Sequence, residues 1–189
     1  MKQSFSTKGL AFCGVSIALA YALSFVKLFD LPLGGSVTLC SMFFITIIGY
    51  ILGPKYSLCS AFAYGLLQLI QDPQIYAPMQ FIVDYFLAFT ALGLSGFLRN
   101  KKSGLYLGYL VSITARFIFS TISGWIFFGE YAPSGWNPLI YSICYNGAYI
   151  YAEGVITLVI LAIPSVRKLF QKTRMDFENS VSSKEQQSS

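Results

Sequence analysis

Charged residues are so sparse in this chain that they divide it into long apolar stretches. An α-helix needs about 20 mostly apolar residues to cross a bilayer, with a usable range of roughly 17 to 25. Six stretches of about this length occupy residues 9–26, 37–52, 56–71, 76–98, 105–128 and 139–166. The last three contain one charged residue each, namely Asp84, Arg116 and Glu153. We therefore predict an all-α integral membrane protein, with six transmembrane helices in one domain over residues 1–174.

The composition excludes several classes of protein. Only 11% of the 189 residues are charged, whereas a soluble domain carries roughly 25%. The chain has no histidine, which removes histidine zinc sites and Ser-His-Asp triads, so we expect neither an enzyme nor a metal site. A Walker-type phosphate loop is also missing from the sequence. We therefore expect no cofactor, and the energy for any active transport has to come from another protein.

Lys and Arg fall mainly on one side of the predicted helices. If both termini are cytoplasmic, the inner segments hold 11 of the 13 basic residues, and the outer segments hold only Lys27. Cytoplasmic loops of membrane proteins are enriched in Lys and Arg, so we predict cytoplasmic termini. The net charge of +5 then reflects membrane topology, and no nucleic-acid partner is expected.

The two ends of the chain carry signals of their own. Because Lys2 and Lys8 precede the first stretch, and Ala18 and Ala20 resemble a cleavage site, a signal peptide is the alternative to a first transmembrane helix. Residues 175–189 are rich in Ser, Gln and Glu. Such a segment has too little apolar content to form a core, so we predict a disordered cytoplasmic tail.

A ridge of small residues runs along the first helix. Gly14, Ala18 and Ala22 recur every four residues, which allows another helix to approach closely. Packing within the protein and docking of an external partner explain this ridge equally well.

Three polar residues on different predicted helices lie at a similar depth. Asp84, Ser120 and Asn146 each lie about 8 residues from the outer end of their helix, which is roughly 12 Å at 1.5 Å per residue. Polar groups are costly in lipid and are candidates for function. We predict that the three line one pocket that opens to the outside.

Two of these helices carry stripes of residues four apart. One stripe consists of Arg116, Ser120, Gly124 and Phe128, and the other of Tyr141, Tyr145, Tyr149 and Glu153. The outer loops 27–36 and 129–138 would cap a pocket lined by aromatic rings, a carboxylate and an amide. That lining suits a small, planar, partly cationic ligand.

Some of these residues have purely structural alternatives. Arg116 would pair with Asp84 or Glu153 to neutralise a buried charge, and Glu153 is expected to lie below the pocket. Trp136 and Tyr131 would anchor the protein at the membrane interface instead of capping the pocket.

Several short segments resemble one known family in their order and spacing. They are Pro32-Leu33-Gly34-Gly35-Ser36-Val37, Asp84-Tyr85, Arg116-Phe117, Ile122-Ser123-Gly124, Phe127-Phe128-Gly129, Tyr131-Ala132-Pro133, Tyr141-Ser142 and Tyr145-Asn146. With the six-span layout, they are similar to the thiamine-specific S components of energy-coupling factor (ECF) transporters. These are prokaryotic cell-membrane proteins that capture a vitamin from outside. The resemblance covers nearly all of the membrane part and implies the S-component bundle.

The resemblance implies roles for residues of the pocket. Asp84 would accept hydrogen bonds from the aminopyrimidine of thiamine, Tyr85 would shape that end, and Phe128 would stack on the thiazolium. The other implied contacts are the polar residues Tyr141 and Asn146, and Gly124, which leaves room for the ligand. The resemblance also implies that the ridge on the first helix docks on a transmembrane coupling subunit. Two cytoplasmic ATPase subunits complete such a complex.

The sequence departs from this family at several positions. Ser120 stands where many relatives have His, Phe117 stands where they have Tyr, and the first outer loop has no Trp. A serine hydroxyl does not reach as far as an imidazole. An S component for another vitamin or for a pyrimidine precursor of thiamine is therefore an alternative, and so is a facilitator that needs no coupling subunits.

Overall fold

The computed structural model describes residues 5–73, 75 and 77–187. Seven helices, one β-hairpin and two single 3₁₀ turns follow one another along these residues. The helices are α1 (Thr7–Ser24), α2 (Ser41–Leu52), α3 (Pro54–Gln71), α4 (Pro78–Leu98), α5 (Gly104–Phe127), α6 (Pro138–Ala162) and α7 (Pro164–Gln187). The hairpin strands are β1 (Lys27–Asp30) and β2 (Ser36–Thr38). Tyr76, the predicted start of the fourth stretch, lies outside the described residues.

The helices differ in how well they suit a bilayer. Among the described helices, α1, α4, α5 and α6 are long and apolar enough to cross a membrane. Helix α2 is apolar but has only 12 residues, and α3 has 18 residues but carries Lys55, Gln68 and Gln71. Four of the six predicted spans are thus long and apolar enough by themselves, α2 is shorter, α3 is more polar, and a seventh helix follows the six predicted ones.

Helix α2 occupies the centre of the bundle. Ten of its 12 residues are buried, and it packs against α1, α3, α4 and α5. Its close approach to α4 depends on Gly49, where a Cβ atom would lie 2.4 Å from the backbone nitrogen of Gly96. Gly53, with a φ of 94°, and Pro54 end α2 and begin α3, in the gap between the predicted stretches 37–52 and 56–71.

Helix α4 is irregular where it carries the acidic residue. A π-helical turn runs over Ile82–Leu87 and includes Asp84 and Tyr85. Gly65 of α3 faces this turn, and a Cβ atom there would lie 2.2 Å from the carbonyl oxygen of Tyr85. The π turn changes which residues of α4 face the interior, and such turns are frequent at functional sites.

The segment between α1 and α2, which was predicted to be an outer loop, contains a short β-hairpin. Strands β1 and β2 are antiparallel, with Lys27 opposite Thr38 and Asp30 opposite Ser36. The connection turns through left-handed backbone at Leu33, with a φ of 66°, and at Gly34, with a φ of 88°. Strands of four and three residues are shorter than sequence patterns resolve.

The C-terminal segment corrects another prediction. Residues from Met175 onward were expected to be disordered, but α7 continues to Gln187, and the last two residues lie outside the described part. Phe177 packs edge-on against Phe12 of α1 at 5.4 Å between ring centroids. Glu178 also forms ion pairs with Arg99 at 2.8 Å and with Arg174 at 2.9 Å. These contacts with the bundle stabilise a helix that would be marginal alone.

Candidate functional site

One cavity is lined by the hairpin and by residues of helices α1 to α6. The volume open to the centre of a water molecule is about 150 Å³. All seven residues that the sequence analysis selected for ligand binding line this cavity, namely Asp84, Tyr85, Ser120, Gly124, Phe128, Tyr141 and Asn146. The predicted meeting of Asp84, Ser120 and Asn146 at one pocket is therefore found in the structure.

The acidic end of the cavity is built on α4. Gln80 donates a hydrogen bond of 2.7 Å to Asp84 Oδ2, and Gln80 itself is buried. The Tyr85 hydroxyl donates to the carbonyl oxygen of Asp72 at 2.6 Å. Sequence reasoning missed Gln80, although a glutamine four residues before an acidic residue in an apolar helix is a usable signal.

Asn146 holds α5 and α6 together. Its Nδ2 atom donates to the carbonyl oxygens of Ser142, at 3.0 Å, and Ser120, at 3.3 Å. Its Oδ1 atom accepts a hydrogen bond from the Tyr149 hydroxyl at 2.9 Å. Both ends of this amide are thus occupied by the protein, although the residue lines the cavity.

Gly124 allows the same two helices to approach closely. A Cβ atom at this position would lie 2.3 Å from the Ser142 Oγ atom. The Ser142 hydroxyl donates to the carbonyl oxygen of Thr121 at 2.8 Å. The space beside Gly124 is therefore filled by α6, whereas the resemblance implied that it was left for a ligand.

Aromatic rings form one wall of the cavity. Tyr141 and Tyr145 lie 5.9 Å apart and Tyr145 and Tyr149 lie 5.8 Å apart, measured between ring centroids. Phe128 lies at the end of α5, 6.2 Å from Tyr131. Ring faces attract cations, so this wall is suited to a positively charged heterocycle.

The arrangement of Arg116 differs from the predicted ion pair. Among the described residues, no ion pair joins Arg116 to Asp84 or Glu153. Its guanidinium lies over the ring of Phe89, 4.2 Å from the centroid, and its Nε atom has no hydrogen-bond partner in the described part of the chain. A cation–π contact replaces the expected neutralising pair.

Glu153 lines the cavity instead of lying below it. The side chain is 3% exposed, and its two carboxyl oxygens accept hydrogen bonds from the end of β2 and the start of α2. The donors are Thr38 N at 3.2 Å, Thr38 Oγ1 at 2.5 Å, Ser41 Oγ at 3.3 Å and Met42 N at 2.9 Å. A carboxylate at a helix N-terminus is favoured by the helix dipole.

The geometry can be compared with known proteins. The family model described as thiamine transporter protein (Thia_YuaJ) matches residues 10–172. The chain belongs to this thiamine transporter family. Thiamine transporter ThiT of Bacillus subtilis is 31% identical over 179 residues, which cover 86% of this chain and 93% of that relative. ThiT of Lacticaseibacillus paracasei is 30% identical over 117 residues, which cover 53% and 58%. A solved structure of ThiT from Listeria monocytogenes has a TM-score of 0.70 at 27% identity, covering 86% and 96%.

Membership of the thiamine transporter family decides the class of this protein. Its role is transport and not catalysis. With four helices able to cross a membrane, it is a multi-pass protein of the bacterial plasma membrane.

Several cavity residues were missed because they lie near helix ends. Gln68 Nε2 donates to Ser24 Oγ at 3.1 Å, and Ser24 Oγ donates to Gln71 Oε1 at 2.8 Å. This network joins α1 to α3 at the edge of the cavity. Two glutamines in one apolar stretch would have been a signal for it.

Two residue sets outside the cavity, Trp136 and the ridge on α1, each had two possible roles in the sequence analysis. Trp136 is 52% exposed and does not belong to the cavity lining, which favours the membrane-interface anchor. On α1, the ridge of Gly14, Ala18 and Ala22 is exposed, and nothing described lies within 4 Å of a Cβ atom built on Gly14. The ridge is therefore not used for packing within the described chain.

Proposed function

We propose that this protein is the substrate-binding S component of an ECF-type transporter and that it captures thiamine from outside the cell. The observation that carries the proposal is one cavity in which the Asp84 carboxylate, held by Gln80, lies among aromatic rings. A carboxylate accepts hydrogen bonds from an aminopyrimidine, and aromatic ring faces attract a thiazolium cation. Membership of the thiamine transporter family supports the same ligand.

Within this proposal, the cavity residues have two kinds of role. Asp84, Phe128 and Tyr141 contact thiamine, Asp84 at the aminopyrimidine and Phe128 at the thiazolium. The residues that shape the cavity around them are Tyr85, Ser120, Gly124 and Asn146. A shaping role for Asn146 is supported by the hydrogen bonds that both ends of its amide make within the protein. A shaping role for Gly124 is supported by its close approach to Ser142.

The proposed topology has α1 to α6 crossing the membrane and both termini in the cytoplasm. Helix α7 then lies at the cytoplasmic end, where Arg174 contacts Asn100 at 3.0 Å. The distribution of Lys and Arg supports this orientation. The hairpin then covers the cavity from the outside.

The proposed transport cycle needs partners. The exposed ridge of Gly14, Ala18 and Ala22 docks on the transmembrane coupling subunit, and two cytoplasmic ATPase subunits drive inward release of thiamine. Small residues on an exposed helix face suit close helix packing in lipid.

Calorimetry with the purified protein tests the proposed ligand. Thiamine, its phosphates and the free aminopyrimidine are compared, and we expect thiamine to bind most tightly. Tighter binding of the free pyrimidine would overturn the proposal in favour of a second candidate, capture of a thiamine precursor. That candidate is favoured by Ser120, whose side chain is smaller than the His of many relatives.

A further inference from the structure

Helix α6 holds the hairpin over the cavity at two points. Tyr145 makes the first contact, since its hydroxyl donates to the carbonyl oxygen of Pro32 and accepts from Gly35 N at 2.9 Å. Glu153 makes the second contact through Thr38 at the end of β2. The two residues belong to one stripe of α6 and lie eight positions, or about 12 Å, apart along the helix.

The two contacts differ in strength and in depth. The Tyr145 hydroxyl contacts two backbone groups at the turn of the hairpin. The missing side chain of Gly35 allows this close approach, because a Cβ atom there would lie 2.6 Å from the hydroxyl. Glu153 is almost completely buried and accepts four hydrogen bonds. Hydrogen bonds to a charged group are stronger than those between neutral groups.

Glu153 also connects the hairpin to α2. Its Oε2 atom accepts from Thr38, whereas its Oε1 atom accepts from Ser41 and Met42 in the first turn of α2. One carboxylate therefore sets the position of the end of β2 relative to both α2 and α6.

We infer that Tyr145 and Glu153 are positioning residues that latch the hairpin, and that they set the rates at which ligand enters and leaves the cavity. Tyr145 is the contact that opens, and Glu153 is the anchor about which the hairpin moves. This inference rests on the proposed function only for the identity of the ligand, because the latch contacts join residues of the chain itself.

A spin label on the hairpin tests the latch without ligand. Phe29 is 72% exposed, so Phe29→Cys is a suitable labelling site once the exposed Cys59 and Cys144 are replaced by serine. We expect the label to become more mobile with Tyr145→Phe and with Glu153→Gln. Unchanged mobility in both variants would overturn the inference.

Matched controls and kinetics separate a latch from a general structural role. Tyr151→Phe and Glu130→Gln remove the same groups from residues outside the cavity lining, and they should leave the label unchanged. We expect thiamine to dissociate about 5-fold faster from Tyr145→Phe and about tenfold or more faster from Glu153→Gln. Dissociation rates equal to those of the control variants would contradict the latch.

A second variant covers the case in which Glu153→Gln does not fold. Thr38→Val removes the hydroxyl that donates to Glu153 at 2.5 Å and keeps the backbone donor. It should raise both label mobility and the dissociation rate, and an unchanged label would again count against the anchor. If the parent protein fails to bind thiamine, the proposed ligand is wrong, while the label still decides the latch.

Discussion

The Gln80 amide donates a hydrogen bond to Asp84 Oδ2 across one turn of α4, at 2.7 Å. Gln80 is 1% exposed, so this donor is shielded from water and its hydrogen bond to Asp84 is costly to lose. The bond holds the carboxylate in one orientation on the π turn. Asp84 lines the cavity, so the carboxylate is oriented where a ligand would meet it.

Substitution of Asp84 tests its role in binding. Asp84→Asn should weaken thiamine binding by about 10-fold to 100-fold, because a charge-assisted hydrogen bond contributes on the order of 1 to 3 kcal/mol. Isothermal titration calorimetry measures the change. Asp176→Asn, on the exposed face of α7, is the matched control and should bind as the parent does. Undiminished affinity in Asp84→Asn would remove this residue from the site.

Substitution of Gln80 tests the orientation of the carboxylate. Gln80→Leu keeps a side chain of similar size but removes the donor to Asp84, so we expect binding to weaken by about 5-fold, near the value of one hydrogen bond. The same calorimetric titration applies. If Gln80→Leu bound thiamine as tightly as the parent, the hydrogen bond would not contribute to affinity.

Substitution of Gly124 tests the packing between α5 and α6, and Gly14 on α1 provides the control. Gly124→Ala places a Cβ atom 2.3 Å from Ser142 Oγ, so either the Ser142 hydroxyl leaves its bond to Thr121 or α5 and α6 separate, which costs about 1 to 3 kcal/mol. Gly14→Ala meets nothing described within 4 Å and favours the helix. We expect a lower melting temperature in detergent for Gly124→Ala only. Ser142→Gly removes the clashing hydroxyl, so it should lower the melting temperature less in the Gly124→Ala background than in the parent, and equal effects in the two backgrounds would place the clash elsewhere.

The sequence was sufficient to predict four long apolar helices and seven of the residues that line the cavity, because both depend on periodicity and on the cost of polar groups in lipid. Asp84, Ser120 and Asn146 were brought to one site by depth alone. The partners of these residues were harder to predict. Arg116 was expected to form an ion pair, but its guanidinium lies over Phe89, two residues after the π turn of α4, which no local pattern indicates.

The hydrogen-bond partners of Glu153 could not be predicted from the sequence either. Its depth on α6 was judged from the outer end of the helix, which suggested a position below the pocket. The hairpin and the late start of α2 at Ser41 bring backbone N–H groups down to it. The hydrogen bonds of Glu153 therefore depend on long-range contacts, since the donor Met42 N lies 111 residues away in sequence.

The attachment of α7 should depend on pH. Partial burial raises the pKa of the Glu178 carboxyl, but hydrogen bonds and charge from Arg174 and Arg99 outweigh this effect and hold the pKa below its usual range. A carboxyl with a lowered folded-state pKa stabilises the folded form above its unfolded pKa of about 4.3, and this contribution is lost as the pH falls through the folded pKa.

Hydrogen exchange of α7 measures this dependence. After correction for intrinsic exchange rates, residues around 174–178 should lose protection as the pH falls below about 4.3. Glu178→Gln should remove the pH dependence, whereas Asp176→Asn should keep it. Added salt should reduce the protection at neutral pH, because the ion pairs of Glu178 with Arg99 and Arg174 are partly exposed. Equal pH dependence in Glu178→Gln and the parent would assign the effect to another group.

The exposed ridge on α1 can be separated from the binding site by substitution. Ala18 is exposed and does not line the cavity, so Ala18→Trp should leave thiamine binding unchanged. A bulky ring on this ridge prevents the close helix approach that small residues allow in lipid, so uptake by cells that contain the coupling and ATPase subunits should be abolished. Val159→Trp is the control, since Val159 is 64% exposed on α6 and should tolerate the ring. Normal uptake with Ala18→Trp would exclude the ridge as the docking surface.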